Sequence, residues 1–233
     1  MNIVITGATK GLGRAIAETF AKEGFDQAIC ARSQKDLEDC KAALLAINPK
    51  IKVYTKVVDV RQKEEVLAFG AFVKKHFSTL DILMNNAGVF LPGEVHKEAD
   101  GLLEKQIETN LYSAYYLTRA LLPLMLPNKS GHIFNMCSVA SLIAYPNGGS
   151  YSISKFALLG FSKVLREELK DKGIKVSSIL PGATWSASWA GVDLPKSRLM
   201  EANDIAATIL AAYKLSPSAV VEEIVLRPQL GDL

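Results

Sequence analysis

Cysteine and histidine are both scarce, three of each in 233 residues. Cys30, Cys40 and Cys137 are an odd number at wide spacing, so they build neither a disulfide framework nor a close-spaced zinc site. A reducing compartment suits them. His76, His96 and His132 stand 20 and 36 residues apart, which leaves no metal motif of local spacing, and no metal is expected. Charge of one sign is equally short: the net charge is +3 and no basic run is longer than Lys74-Lys75, too little for a nucleic-acid surface. No stretch approaches the roughly 18 uninterrupted apolar residues of a membrane helix. The opening Met1-Asn2-Ile3-Val4-Ile5-Thr6-Gly7 lacks the basic and long apolar regions of a signal peptide. A soluble, cytoplasmic chain with no membrane or nucleic-acid partner is therefore expected. There is no repeat, no Pro/Ser-rich linker and no shift in composition, so residues 1–233 read as a single domain.

What the chain does have is the balance of a globular protein, 49% apolar and 22% charged residues. Short apolar runs at 2–6, 27–31, 52–58, 80–85, 132–138, 174–180 and 223–226 are mostly bounded by Gly, Pro, Asn or Asp. Most are apolar on both faces, the mark of buried parallel strands. Helical periodicity fills the segments between them, at 13–23, 35–47, 63–77, 102–126, 152–172 and 204–213. Parallel strands need crossover helices, so the pattern predicts an α/β fold: a doubly wound parallel seven-stranded sheet with helices on both faces. The one long region without periodicity, 181–200, is a candidate functional loop.

Directly after the first strand, Thr6-Gly7-Ala8-Thr9-Lys10-Gly11-Leu12-Gly13 opens a helix. Gly7 permits the tight turn, Gly11 lets backbone approach a pyrophosphate, and Gly13 lets helix and strand pack closely. The helix start offers unpaired N–H groups to phosphates, so the turn, with Thr9, Lys10 and Leu12, is the candidate dinucleotide cradle of a Rossmann-type domain. An NAD site places a carboxylate about 20 residues beyond the glycines. Here Cys30-Ala31-Arg32-Ser33 puts Arg32 nineteen residues after Gly13, with no carboxylate at the strand end. A guanidinium grips a ribose 2′-phosphate that a carboxylate repels, and Lys10 supplies a second cation. NADP(H) is expected over NAD(H). The plain alternative is that both are solvated surface charges.

Tyr151 and Lys155, at i and i+4, share one helical face, and Ser138 precedes Tyr151 by thirteen residues at the end of the fifth strand. Ligands bind at that carboxyl edge in open α/β sheets, so Ser138 and Tyr151 converge on one carbonyl. With this, the sequence resembles the short-chain dehydrogenase/reductase family. The motifs are Thr6-Gly7-x3-Gly11-x-Gly13, Asp59-Val60, Asn85-Asn86-Ala87-Gly88, Asn110, Ser138, Tyr151-x3-Lys155 and Pro181-Gly182, in the family's order over essentially the whole chain. The resemblance implies hydride transfer between a nicotinamide and a carbonyl or alcohol. Within it, Tyr151 is the proton donor in reduction and Ser138 hydrogen-bonds the substrate oxygen. Lys155 binds the nicotinamide ribose and lowers the tyrosine pKa, and Asn110, the family's helix-interrupting asparagine, holds a water linking Lys155 to solvent. Asp59 and Val60 flank the adenine, and Asn86, Ala87 and Gly88 line the ribose. Pro181, Gly182, Thr184 and Ser186 lie by the nicotinamide. Ser186 stands where the family commonly has Thr, and Cys137 where many members have Ser. The physical reading agrees: a lysine about 4 Å from a phenol lowers its pKa by at most roughly three units.

Residues 183–200 resemble the family's substrate lid. They carry Trp185, Trp189, Val192, Leu194, Leu199 and Met200, while Leu142-Ile143-Ala144-Tyr145 follows Ser138. Tyr145, Trp185 and Trp189 join Ser138 and Tyr151 as candidate substrate contacts, and apolar walls suit a substrate with few polar handles. The aromatics could equally pack into the body or a subunit interface. Of the family's branches the chain looks most like the NADPH-dependent 3-oxoacyl-[acyl-carrier-protein] reductases. Reduction of another small carbonyl compound, such as a pterin side chain, a steroid-like or a xenobiotic ketone, is the alternative, and a non-catalytic NADP-binding regulator a third. By analogy the chain forms a homodimer or homotetramer through helices 102–126 and 152–172.

Overall fold

The computed structural model describes residues 1–185 and 195–232. Seven strands, β1 (Asn2–Thr6), β2 (Asp26–Ala31), β3 (Val53–Val57), β4 (Ile82–Asn85), β5 (Gly131–Met136), β6 (Ile174–Pro181) and β7 (Glu223–Leu226), form one parallel sheet in the order β3-β2-β1-β4-β5-β6-β7. Successive strands step outward in one direction from β1 to β3 and in the other from β4 to β7. The reversal therefore lies between β1 and β4, and the crevice at their carboxyl ends is where such sheets receive a ligand.

Alternation along the strands divides the core. Ile3 and Ile5 of β1 face α1 (Gly11–Lys22), α2 (Gln34–Ile47) and α7 (Ala202–Tyr213) through Ile16, Phe20, Leu37, Ile205 and Ile209. Val4 faces the other way, toward α3 (Lys63–His76), α5 (Ser113–Leu121) and α6 (Gly149–Leu169), through Phe69, Val73, Leu117, Leu121 and Leu165. Both faces are covered, which is why the strands read as unbroken apolar runs. Among the described residues no helix is long and apolar enough to cross a membrane.

The main departure from the periodicity lies in 102–126. Instead of one helix there is α4 (Leu102–Ile107), a π-helical turn at Glu108–Tyr112, then α5, then two 3₁₀ turns at Leu122–Leu124 and Leu126–Asn128. Pro123 and Pro127 end the helical ladder because they have no N–H to give it. The π turn carries Asn110, and such bulges concentrate at functional sites. Strand β5 ends at Met136, two residues short of Ser138, because Ser138 instead caps a 3₁₀ turn at Val139–Ser141. Helix α6 begins at Gly149, so Tyr151 lies in its first turn.

Candidate active site

The glycine turn has the shape its residues dictate. Gly7 and Gly11 take φ of +66° and +53°, conformations that side-chain-bearing residues resist. A Cβ on Gly13 would fall 2.2 Å from the Gly7 carbonyl oxygen, so α1 lies against the turn with no space for a methyl group. Lys10 caps α1 in extended conformation without a side-chain hydrogen bond, and the first turn holds no acidic residue. Its leading amides therefore face the crevice unneutralised, which fits the pyrophosphate of a dinucleotide. Asn86 locks β4 to the turn: its Nδ2 donates to the carbonyls of Thr6 and Gly7 at 2.9 and 3.1 Å, while the Thr6 hydroxyl accepts from the amides of Asn86 and Ala87.

At the end of β2, Arg32 is exposed and Ser33 caps α2, accepting from the Asp36 amide at 3.2 Å. The Lys10 ammonium pairs with Asp36 at 2.8 Å and holds that carboxyl below its usual range. Asp59 is gripped by Arg61, which lowers its pKa, and the charge of Arg32 adds to the effect. Asp36, which motif spacing did not single out, is thus the ion-pair partner of Lys10; its clue was an acidic residue in the first turn of α2.

On the far side of the crevice, Ser138, Tyr151, Lys155 and Asn110 gather. The Ser138 side chain is fixed by a capping box, accepting from the Ala140 amide while its own amide donates to Ser141 Oγ. Lys155 is buried and donates to the Met136 carbonyl at 2.7 Å. Its Nζ lies 5.7 Å from the centre of the Tyr151 ring. A Cβ on Gly88 would stand 3.5 Å from Lys155 Nζ and 3.2 Å from Asn110 Oδ1, so Gly88 keeps the approach to the lysine open. Asn110 accepts from the Val89 amide at 2.8 Å and donates to Val89 O and Ser154 Oγ.

Burial acts on this group against the attraction expected from the spacing. The sequence predicts a tyrosine acidified by its lysine; within the chain, burial pushes the Tyr151 phenol up to about 12, with only the Ser138 hydroxyl working against it. The same burial brings Lys155 down to about 8, with the nearby Cys137 opposing weakly. The physical reason is that the amine is itself desolvated and is turned toward a main-chain carbonyl.

Of the remaining candidates, Val60 lies at the carboxyl side of β3, half-buried beside Asp59. Pro181 ends β6, the Gly182 amide donates to Leu226 O at 2.8 Å, and the buried Thr184 donates to Gly182 O at 3.0 Å. Thr184 also bridges to Met200, so the two ends of the 183–200 segment are joined. Tyr145 and Trp185 are both exposed. Thr9 and Leu12 are half-buried at the glycine turn. Ser186 and Trp189, with Val192 and Leu194, lie outside the described residues. Phe90 was missed by the sequence reading: its ring meets Tyr151 edge-on, centroids 4.8 Å apart. Beside Tyr145, Val95, Ala144, Gly149, Ser152, Ile153 and Phe156 line a mostly apolar groove of about 410 Å³.

A family model described as short chain dehydrogenase matches residues 1–194. Over 225 residues the chain is 32% identical to an oxidoreductase of Staphylococcus saprophyticus, covering 97% of this chain and 96% of the relative. It is 33% identical to a sepiapterin reductase of Chlorobaculum tepidum over 99% of this chain and 97% of the relative. Among solved structures, an alcohol dehydrogenase of the archaeon Thermococcus sibiricus, complexed with 5-hydroxy-NADP, superposes with a TM-score of 0.89 at 27% identity, covering 97% of this chain and 96% of that one. The L-sorbose reductase of Gluconobacter frateurii, complexed with NADPH and L-sorbose, superposes with a TM-score of 0.87 at 28% identity over 96% of this chain and 94% of that one. The chain belongs to the short-chain dehydrogenase family and is an oxidoreductase of the alcohol/ketone class that works with a nicotinamide cofactor.

Proposed function

We propose that this chain is an NADP(H)-dependent reductase of ketones with a hydrophobic portion, with Tyr151 as proton donor. The observation that carries the reading is the meeting of the Tyr151 and Ser138 hydroxyls, with Lys155 one helical turn on and its Nζ 5.7 Å from the centre of the Tyr151 ring. A phenol held at about 12 keeps its proton at neutral pH, the form that reduction requires. A bound nicotinamide supplies the hydride. Once the carbonyl carbon has received it, the oxygen becomes an alkoxide more basic than a phenolate, and the Tyr151 proton passes to it. Ser138, fixed by its capping box, donates to the same oxygen as charge develops. Lys155 binds the ribose hydroxyls, and Asn110 holds the water that returns a proton from solvent.

The remaining assignments follow the crevice. Gly7, Thr9, Lys10, Gly11, Leu12 and Gly13 cradle the pyrophosphate, and Arg32, Ser33 and Lys10 face the ribose 2′-phosphate. Asp59 and Val60 flank the adenine; Asn86, Ala87 and Gly88 line the nicotinamide side, and Pro181, Gly182, Thr184 and Ser186 hold the carboxamide. Residues 183–200 close over the substrate, with Tyr145, Trp185 and Trp189 in contact with it. The exposed Tyr112 at the end of the π turn, Tyr115 of α5, and Phe156 and Val164 of α6 support pairing with a second copy of the chain.

The apolar surroundings of Tyr151 support a 3-oxoacyl thioester or another hydrophobic ketone. A second reading, reduction of a pterin side-chain ketone, is favoured by the relative named sepiapterin reductase. Optical measurement of NADPH oxidation against β-ketoesters, acyl thioesters, diketones, quinones and pterins tests both readings. Turnover of a ketone with NADPH is expected; turnover of none, or a better rate with NADH, overturns the substrate or the cofactor reading respectively.

A further inference from the structure

We infer that Phe90 is a specificity-determining residue, the wall beside the reacting carbonyl, and that Glu98 is the positioning residue that holds it there. The inference rests on the role of Tyr151 proposed above. Phe90 is 43% exposed, yet its ring is seated edge-on against Tyr151 at 4.8 Å and 73°. The loop around it is fixed from both sides by side-chain amides acting as a neighbouring strand would. Asn110 accepts from the amide of Val89 and donates to its carbonyl; Gln106, with no exposed surface, does the same for Leu91, both bonds at 3.2 Å. These two amides stand four residues apart, one in α4 and one in the π turn, and Phe90 lies between the residues they hold.

Glu98 joins this loop to the helix that carries Tyr151. Its Oε1 accepts from the Ser150 amide at 2.8 Å, and Oε2 accepts from the Ser150 hydroxyl. Alongside, the Gly93 amide donates to Asn147 O at 3.0 Å. The contact is so close that a Cβ on Gly149, which has φ of +34°, would fall 2.1 Å from Glu98 Oε1 and 2.4 Å from Gly93 O. Ser150 immediately precedes Tyr151, so the wall and the proton donor are tied through one carboxylate. That carboxylate is occupied by Ser150, and the neighbouring Glu94 is paired with Lys97, so the wall offers a substrate an apolar edge without a matching charge. An exposed aromatic ring beside the proton donor favours a flat apolar substituent over a methyl group.

The test compares diacetyl with its phenyl-substituted analogue in the wild type, Phe90→Ala, Glu98→Ala and Glu98→Gln. NADPH affinity is followed separately by fluorescence, and amide exchange by NMR without turnover. The wild type is expected to favour the phenyl compound, and Phe90→Ala to lower that preference in kcat/KM about tenfold, through KM, with NADPH affinity within about twofold. Glu98→Ala is expected to lower it in the same direction and to speed exchange at Ser150 and Gly93. Glu98→Gln, whose amide oxygen still accepts from Ser150, retains both. An unchanged preference in Phe90→Ala, or unchanged exchange in Glu98→Ala, overturns the inference. If the wild type reduces neither diketone, the reading of the site fails and Phe90 loses its role, while the exchange measurement still decides whether Glu98 holds the loop.

Discussion

Lys155 Nζ lies 5.7 Å from the centre of the Tyr151 ring and donates to the main-chain carbonyl of Met136. The lysine is therefore poised between the phenol and the crevice, and burial has already drawn its pKa to about 8.

That value sets a pH limb. kcat/KM for the cofactor reports groups of the free enzyme, so it is expected to fall with unit slope above about pH 8 as Lys155 loses its proton. Lys155→Arg moves the limb to higher pH, and Lys155→Ala impairs both NADPH binding and turnover. Stability moves the other way: between about pH 8 and 10.5 the unfolded chain holds a proton that the folded lysine has released, so folding strengthens as pH rises. A cofactor profile flat to pH 10 would refute the assignment of Lys155.

Two glycine-to-alanine changes should have opposite signs. Gly13→Ala puts a methyl 2.2 Å from Gly7 O and is expected to destabilise the fold and weaken NADPH binding more than tenfold. Gly160, in the interior of α6, has nothing within 4 Å of an added Cβ. Within the single chain Gly160→Ala is expected to stabilise by about 0.5–1 kcal/mol. Urea unfolding and a binding titration on each variant check the pair.

His132 predicts an acid limb in stability. Its ring is buried against Phe134 at 3.8 Å and its Nε2 meets Ser177 Oγ at 2.7 Å, while Nδ1 has no partner among the described residues. Burial, with a lesser contribution from Lys175, lowers its pKa from 6.5 to about 3. In this window the unfolded chain takes up a proton that the folded one refuses, so stability present above pH 6.5 is lost as pH falls toward 3. Between pH 6.5 and about 4.5 the wild type should lose about 2 kcal/mol more than His132→Phe, measured by urea unfolding.

The proposed preference for NADP(H) is assigned to Arg32 and Lys10. Arg32→Asp is expected to reverse the preference from NADPH to NADH, by repelling the 2′-phosphate and engaging a ribose hydroxyl. Because Asp36 competes for Lys10, Asp36→Asn should tighten NADPH several-fold and leave NADH within about twofold. Dissociation constants for the two dinucleotides measure both. An unchanged preference in Arg32→Asp would remove the basis for the choice of cofactor.

The sheet was legible because its inner strands are buried on both faces, and apolar runs bounded by Gly7, Asn85 or Ser138 are strong punctuation. The glycine turn and the Tyr151/Lys155 pair were legible because their spacing is local. Periodicity could not see the break at Asn110, since a π turn shifts the phase by one residue without a breaking side chain. Lys10–Asp36, Phe90–Tyr151 and Glu98–Ser150 are contacts across 26, 61 and 52 residues, which only the folded chain brings together. The burial of Tyr151 was out of reach for a similar reason: the attraction of the lysine follows from spacing, whereas desolvation depends on how the helix packs.

The most direct test is to measure ketone reduction and NADPH affinity side by side in Tyr151→Phe, which removes one hydroxyl and keeps the ring against Phe90. We predict a loss of about 10²–10⁴-fold in turnover, with NADPH affinity within a few-fold of wild type. A variant that still reduces the ketone at close to the wild-type rate would contradict Tyr151 as the proton donor and the mechanism built on it.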